Sequence, residues 1–188
     1  MKKIFMGILL LALCAVLAAC KGSKTGDAAR SKTCEIFQVG DYPIAVTTPS
    51  GWEKESDSGS FDLQCISPKL DMYLSVYGFS ALDLSEEQTA QDLFELQADA
   101  VLSARDNVAE IEPVSMTEDN GKIIYSALYS AERAGVKNYY HFFFIHFKST
   151  DNMAWILFSG MPSVIEKNQD TIDEIITAVT DRSSQTPL

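Results

Sequence analysis

The amino-acid sequence predicts an α+β fold, an α/β/α sandwich in which a central, mostly antiparallel sheet of about six to eight strands has helices on both faces. Three observations predict it. Short runs rich in β-branched and aromatic residues alternate with turn clusters, two segments have apolar residues at helical spacing, and one strand is apolar on both of its faces. With 188 residues, the chain is long enough for one ordinary domain.

The predicted strands are separated by turn-forming residues. They cover residues 35–39, 42–48, 61–67, 72–79, 111–116, 122–131, 136–148 and 153–161. Asn120 and Gly121 form a strong hairpin signal between two of these strands, and residues 133–135 form a second turn. Tight turns of this kind join antiparallel neighbours, so most of the sheet is expected to be antiparallel.

Two helices are predicted from periodicity and capping signals. The first covers residues 84–107, with apolar side chains at helical spacing and a capping box formed by Ser85 and Gln88. The second covers residues 163–180, with Ser163 and Glu166 as its capping box. Its buried stripe consists of Ile165, Ile172, Ile175, Ile176 and Val179.

The strand around residues 139–147 predicts that both faces of the sheet are covered. Its sequence, YYHFFFIHF, is apolar on both parities, and successive residues of a strand face opposite sides of the sheet. Both faces of this strand therefore need cover, which the two helices supply in the predicted sandwich. The alternative is that one face is an exposed aromatic patch and hence a binding site.

The first 20 residues have the layout of a secretory signal. Lys2 and Lys3 precede an apolar run of 16 residues from Ile4 to Ala19, shorter than the about 20 residues that a membrane span requires. The residues Leu17-Ala18-Ala19-Cys20 resemble the lipobox of bacterial lipoproteins. This resemblance implies that residues 1–19 are removed and that Cys20 carries a diacylglycerol through a thioether, which anchors the protein to the bilayer.

Four segments follow from these signals. Residues 1–19 are the signal peptide, residues 20–33 are the lipidated cysteine and a flexible tether, residues 34–181 are a single α+β domain, and residues 182–188 are a polar tail. The expected location is extracytoplasmic. If the source has two membranes, Lys21 after the lipidated cysteine favours the outer membrane; with one membrane, the protein lies on the outer face of the plasma membrane.

The charge excludes one class of partner. The chain has 15 basic and 26 acidic residues and a net charge of −11. The leader holds two of the lysines and no acid, so its removal leaves 13 basic and 26 acidic residues, a net charge of −13. Such a domain repels phosphate backbones and anionic headgroups, so no nucleic-acid partner is expected.

One short motif and the order of elements suggest a known family. The strand 42–48 ends in Pro49-Ser50-Gly51-Trp52, a Pro-x-Gly-Trp stretch that resembles the start of Mog1/PsbP-like domains. The long helix after the first part of the sheet and the terminal helix follow the same order. The resemblance implies an α/β/α sandwich and a non-enzymatic role, and it carries over no catalytic residue.

Residues that could carry chemistry are sparse. His141 and His146 are the two histidines, and their odd spacing places them on opposite faces of one strand, where they cannot share a metal ion. No phosphate-binding loop, nucleophile elbow or zinc helix motif occurs in the sequence. We therefore expect no enzyme, no metal and no cofactor. The alternative is an envelope hydrolase that uses carboxylates scattered along the chain.

Cys34 and Cys65 are the cysteines that remain once Cys14 leaves with the signal and Cys20 takes the lipid. A disulfide between them would stabilise the fold by about 3–4 kcal/mol in the chain-entropy model. An extracytoplasmic location permits such a bond. Register argues against the bond. In a simple hairpin turning near residue 54, Cys65 would lie opposite Ile44, and only a bend at Gly40 would return Cys34 to it. A disulfide and two buried free thiols both stay open.

The expected function follows from the anchor, the compact domain and the missing chemistry. We expect a membrane-anchored, non-enzymatic binding or accessory module of the cell envelope. Its expected partners are the lipid bilayer through Cys20, and either an envelope protein or a small solute within reach of the tether. Trp52, Tyr73, Tyr77 and Tyr125 are candidate contact residues, although packing in the core or on a sheet face is the favoured role for each.

Overall fold

The structure is a computed structural model, and it describes residues 34–56, 59–85 and 88–183. The predicted signal peptide, the lipidated Cys20 and the tether lie outside the described residues. Within the described ranges, no helix is long and apolar enough to cross a membrane.

In residues 34–56, 59–85 and 88–183, ten strands form two antiparallel sheets. The strands are β1 Cys34–Gln38, β2 Ile44–Pro49, β3 Glu53–Lys54, β4 Leu63–Ser67, β5 Met72–Phe79, β6 Asp106–Asp119, β7 Lys122–Arg133, β8 Val136–Phe147, β9 Met153–Gly160 and β10 Thr180–Asp181. The large sheet has seven strands in the order β3-β4-β5-β9-β8-β7-β6, and the small sheet has three in the order β1-β2-β10. The prediction of a mostly antiparallel sheet of six to eight strands is confirmed for the large sheet.

The first two strands do not join the large sheet, contrary to the simple hairpin considered from the sequence. β2 pairs with β1, with Cys34 opposite Pro49, and with β10 on its other side. Cys65 therefore lies opposite Lys54 and not near Ile44. The cause is the tight return at Gly40, whose φ of 48° lies in the left-handed region and lets β1 fold back on β2.

The helices are shorter than predicted, and their caps differ. After a 3-10 turn at Ala81–Asp83, α1 covers Ala90–Leu102 and not residues 84–107. Its capping box is formed by Thr89 and Asp92, so the predicted Ser85–Gln88 box is wrong. Thr89 Oγ1 accepts a hydrogen bond from the Asp92 amide at 3.1 Å, and Asp92 Oδ2 accepts one from the Thr89 amide at 2.8 Å.

The predicted terminal helix is two helices, α2 Pro162–Lys167 and α3 Gln169–Thr177, separated at Asn168. Pro162 occupies the first helical position, so Met161 is the N-cap and the predicted capping box of Ser163 and Glu166 does not form. The chain then continues as β10, where a helix was predicted to residue 180.

The core consists of two clusters of buried side chains. The aromatic cluster combines side chains of α1 with those of one set of alternate strand residues in the large sheet. Its buried members are Leu93, Phe94, Ala98, Leu102, Ala127, Ala131, Tyr140, Phe142, Phe144, Met153, Trp155 and Leu157. The aliphatic cluster combines side chains of α2, α3 and β2 with those of the other set of alternate strand residues. Its members include Ile44, Val46, Leu74, Val76, Phe143, Ile145, Ile156, Phe158, Ile165, Ile172 and Ile175.

β8 contributes to both clusters, as its sequence predicted. Phe142 and Phe144 belong to the aromatic cluster, whereas Phe143 and Ile145 belong to the aliphatic cluster, and all four are buried. The two parities of this strand are therefore both covered. The alternative of an exposed aromatic face on β8 is wrong.

The C-terminal segment is bound to the domain beyond the predicted boundary at residue 181. Asp181 accepts hydrogen bonds from Asn152 at 2.9 Å and from Thr150. The amide of Arg182 donates to the carbonyl of Pro43 at 2.6 Å. Lys122 Nζ donates to the carbonyls of Thr177 and Val179 at 2.7 and 3.0 Å, which binds the end of α3 to the start of β7. Residues 182 and 183 are thus part of the folded domain.

Candidate functional site

The two cysteines lie in different sheets. Cys34 begins β1, an edge strand of the small sheet, and is exposed, so the alternative of two buried thiols is wrong for Cys34. Cys65 lies in β4, where its side chain is buried. Burial raises the pKa of Cys65 to about 12, which keeps the thiol protonated and unreactive at neutral pH. A bond between Cys34 and Cys65 stays a prediction, which titration of thiols in unfolded, unreduced protein would test.

The two histidines lie at different places on β8, on opposite parities as predicted. His146 Nε2 donates a hydrogen bond to Asp151 Oδ1 at 3.0 Å near the strand end. His141 is only 6% exposed, its ring lies 4.2 Å from that of Phe143, and its Nδ1 has no hydrogen-bond partner among the described residues. Burial lowers the pKa of His141 to about 4, so its imidazole is neutral at pH 7.

The depressions formed by the described residues are open and shallow. One, of about 410 Å³, is lined by Glu53, Lys54, Glu55, Ser56 and Ile66. The other, of about 540 Å³, lies beside the β6–β7 turn and is lined by residues that include Lys122, Lys148 and Asp181. No group of three potential metal ligands occurs among the described residues. A deep cleft with two carboxylates, which the hydrolase alternative requires, is not among these features.

The most conspicuous surface is the outer edge of the large sheet, which we call the β6 edge. β6 has 14 residues, is the terminal strand of the sheet, and pairs only with β7 within the part of the chain that the structure describes. Twelve of its positions are exposed and two are half-buried. Three exposed apolar side chains lie on it: Val108 at 44%, Ile111 at 43% and Met116 at 61%. Such a strand presents a row of backbone groups that no neighbour in the described domain uses.

The β6 edge is strongly acidic. β6 contains Asp106, Glu110, Glu112, Glu118 and Asp119 and no basic residue, and α1 contains three acids and no basic residue. Acids from the two elements converge on the Tyr129 phenol of β7. Burial raises the pKa of that phenol, and the carboxylates of Glu110, Asp99 and Glu95 raise it further. This convergence places the negative charges of α1 and β6 on one surface.

Arg105 is the basic residue between α1 and β6, and it is turned toward the domain. Its Nε donates to the Tyr140 hydroxyl at 3.0 Å, and its guanidinium carbon lies 5.5 Å from the Tyr140 ring centroid. These contacts orient the guanidinium toward Tyr140 without removing its positive charge.

The contact residues considered from the sequence lie elsewhere. Trp52 is buried in the aliphatic cluster, and Tyr77 and Tyr125 pack against the aromatic cluster. Tyr73 is 37% exposed on β5. The β6 edge was missed because only residues 111–116 were predicted as a strand, and Asn107 and Pro113 obscured the period of the longer strand. The acidic run between residues 106 and 119 was the available signal.

Neither protein-family models nor curated protein sequences match this chain. Solved structures do. Cyanobacterial PsbP (CyanoP) from Synechocystis sp. PCC 6803 superposes with a TM-score of 0.59 at 12% identity, over 85% of this chain and 98% of that protein. The Ran-binding protein Mog1p of Saccharomyces cerevisiae superposes with a TM-score of 0.57 at 9% identity, over 82% and 98% of the two chains.

The domain has a Mog1/PsbP-like fold. At these identities the likeness extends to the fold alone, and it confirms the resemblance read from the Pro-x-Gly-Trp stretch and the element order. A protein from Bacteroides thetaiotaomicron VPI-5482 also matches, with a TM-score of 0.52 at 11% identity, over 80% of this chain and 52% of that one. The Mog1/PsbP-like domain of this chain thus presents the β6 edge as its candidate site.

Proposed function

We propose that this protein is a membrane-anchored, extracytoplasmic lipoprotein whose Mog1/PsbP-like domain is a non-enzymatic binding or accessory module of the cell envelope. The lipobox-like residues Leu17-Ala18-Ala19-Cys20 support the anchor, and the tether of residues 21–33 supports a domain held just off the bilayer. The fold supports an accessory or binding role, since its neighbours include a protein described as Ran-binding.

The layering of the domain is part of this proposal. The two core clusters have α1 on one parity of the large sheet and α2 and α3 on the other. We take this as an α/β/α sandwich in which β2 and its small sheet supplement the second helix layer. In such a layout both faces of the sheet are filled, and contacts with a partner fall on the edges and the outer helix surfaces.

The observation that carries the binding role is the contrast between the shallow depressions and the β6 edge. A small-molecule site needs a concave, largely apolar enclosure, whereas the two depressions are open and most of their lining residues are polar or charged. The β6 edge instead offers a long unpaired strand with exposed Val108, Ile111 and Met116. This combination favours a protein partner over a small solute.

The anchor is tested by the intact mass of the full-length protein purified from its own membranes. We expect a chain that begins at Cys20 and carries acyl chains, and we expect the Cys20→Ser variant to lack both the acyl mass and the cleavage. A product that retains residues 1–19 and carries no acyl group would overturn the anchor and the extracytoplasmic location.

The binding role is tested separately by chemical crosslinking of the lipidated protein in its own membranes, followed by purification. We expect one stoichiometric protein partner, recovered with the wild-type protein. Release of a product from envelope polymers or peptides by the purified protein would overturn the non-enzymatic role. In that case, Glu53→Gln and Glu55→Gln would show whether the carboxylates of the first depression are responsible.

A further inference from the structure

The two halves of the β6 edge differ in regularity. Between Asp106 and Ser115, β6 has three register shifts against β7, and each inserts one extra residue into β6. This bulged half also contains Pro113 and the left-handed Asn107, whose φ is 49°. Bulges and proline twist an edge away from a further strand and remove a donor from it. The bulged half is therefore a poor template for pairing.

The regular half is the segment Ser115–Asp119. Its residues pair one to one with β7, from Ser115 opposite Ser126 to Asp119 opposite Lys122. Five consecutive residues in unbroken register are as long as a typical strand of about 5–6 residues. This half of the edge lacks the bulges and the proline that protect the other half.

The turn fixes which backbone groups of the regular half point outward. Asn120 and Gly121 form a two-residue turn, with φ of 47° and 78°. In such a hairpin the flanking pair, Asp119 and Lys122, exchanges hydrogen bonds, and bonded and non-bonded pairs alternate along the strands. The amide and carbonyl groups of Met116 and Glu118 therefore point away from β7.

The side chains of the regular half indicate what would pair with it. Met116 is the most exposed apolar residue of β6, at 61%. Asp119 is acidic, and so is Glu118, whose carboxylate accepts a hydrogen bond from Lys148 Nζ at 2.8 Å. The bulged half adds three further acids without a basic residue. Pairing with a second copy of this chain would bring two acidic edges together, and an anionic membrane would be repelled in the same way. An extended segment with basic and apolar residues is complementary to this surface.

We propose that the regular half of β6, Ser115–Asp119, receives an extended, lysine- or arginine-rich segment of a partner protein as an added strand of the large sheet. The backbone groups of Met116 and Glu118 hold that strand, the Met116 side chain contacts its apolar residues, and the acids of β6 select its basic residues. This inference rests on the proposed binding role and names the partner's chemistry and its place on the domain.

The probe is a synthetic peptide of about eight residues, acetylated and amidated, in which lysine alternates with valine. Its matched control has glutamate in place of each lysine. The protein is the full chain with its anchor in neutral detergent micelles, and binding is measured by fluorescence anisotropy of the labelled peptides. We expect the lysine peptide to bind at least about tenfold more tightly than the glutamate peptide, with affinity that falls as salt rises.

Two variants at one position separate backbone pairing from side-chain contact. Met116→Pro removes an outward amide without removing a bond to β7, and we expect it to lower the affinity for the lysine peptide at least about tenfold. Met116→Ala keeps the amide, and we expect a loss of only about threefold. Equal affinity of Met116→Pro and the wild type overturns strand addition, as does the absence of binding by the lysine peptide.

Hydrogen exchange in the wild-type protein keeps the test decisive if Met116→Pro fails to fold. We expect the amides of Met116 and Glu118 to gain protection when the lysine peptide is bound, with no gain for amides in the bulged half. Protection confined to another surface overturns the proposal, and so does dimerisation of the protein through β6 without peptide. A crosslinked partner that Met116→Pro still retains overturns strand addition but leaves the binding role standing.

Discussion

The two core clusters of this domain are built and covered differently. The aromatic cluster is filled by rings, including Phe142, Phe144 and Trp155, and its helical part comes from α1 alone. The aliphatic cluster is rich in isoleucine and valine, and it receives side chains from α2, α3 and the small sheet. Partly buried tyrosines, Tyr77, Tyr125 and Tyr129, remain around the aromatic cluster.

The two clusters differ in which elements of the domain depend on them. The aliphatic cluster joins both sheets and the C-terminal segment, so its loss affects elements from both ends of the domain. The aromatic cluster depends on one helix of 13 residues, so we expect the docking of this helix to be the less stable of the two contacts. The acidic surface that includes the β6 edge lies beside the aromatic cluster, against which Tyr129 packs. We expect the mobile part of the domain to lie on the side of its candidate site.

The largest effect is expected from truncating a ring in either cluster. Trp155 and Phe158 lie three residues apart on β9, and each is 0% exposed. Trp155 belongs to the aromatic cluster and Phe158 to the aliphatic cluster. Each substitution to alanine should lower the free energy of unfolding by about 3–5 kcal/mol, because it leaves a cavity. Denaturant titration measures both. A cost below about 1 kcal/mol for Trp155→Ala would show that the aromatic cluster can collapse onto the space.

Acid should weaken the domain through His141. Burial lowers its pKa to about 4 in the folded state, whereas the unfolded value is about 6.5. The unfolded chain therefore binds more protons between these values, and stability should fall as pH falls from about 6.5 to about 4, by about 3 kcal/mol in total. Denaturant titrations at several pH values in this range measure the free energy of unfolding, which should change less with pH in His141→Phe than in the wild type. An unchanged dependence on pH would mean that other groups cause the acid sensitivity.

An intermediate effect is expected at Lys122, which binds the end of α3. Lys122→Met removes two hydrogen bonds to the carbonyls of Thr177 and Val179, and should cost about 1–3 kcal/mol. Burial lowers the pKa of this amine, so the loss is partly offset by removal of a desolvated charge. Lys148→Met, at an exposed ion pair with Glu118, is the matched control and should be close to neutral. Equal costs for the two variants would contradict the special role of Lys122.

The smallest effect is expected at the start of α1. Thr89→Ala removes the side chain that caps the helix, at a cost of about 1 kcal/mol. Hydrogen exchange should show faster opening of α1 amides, with little change in α3. Gln91→Ala, on the exposed face of the same helix, should leave these rates nearly unchanged. Faster exchange throughout both helices would mean that α1 unfolds only with the whole domain.

Local patterns in the sequence predicted many elements of the fold. The hairpin turn at Asn120-Gly121, the apolar parities of β8 and the antiparallel character of the large sheet follow from nearest-neighbour chemistry and strand alternation, and the structure has all three. Helix ends were predicted less well. Ser85 and Thr89 both precede an acceptable helix start, and only packing of Leu93 and Phe94 in the aromatic cluster selects the later one.

The candidate site could not be predicted from such patterns. That β6 is an edge depends on the order of strands in the sheet, which pairs β5 with β9 across more than seventy residues of chain. The bulges of β6 arise from its fit to β7, and the alternation of exposed residues is broken at each bulge. The sequence displayed the acids of this segment, but it did not show that they lie on an unpaired edge.

By itself, the sequence determined the composition of each strand face, the tight turns, the acidity of the domain and the lipobox-like leader, because each of these depends on residues close together in the chain. Tertiary structure decided which strands became edges, that the first two strands form a separate sheet, and where α1 begins. These features depend on contacts between distant segments, whose free energies are set by the packing of the whole core and cannot be assigned to any one stretch of residues.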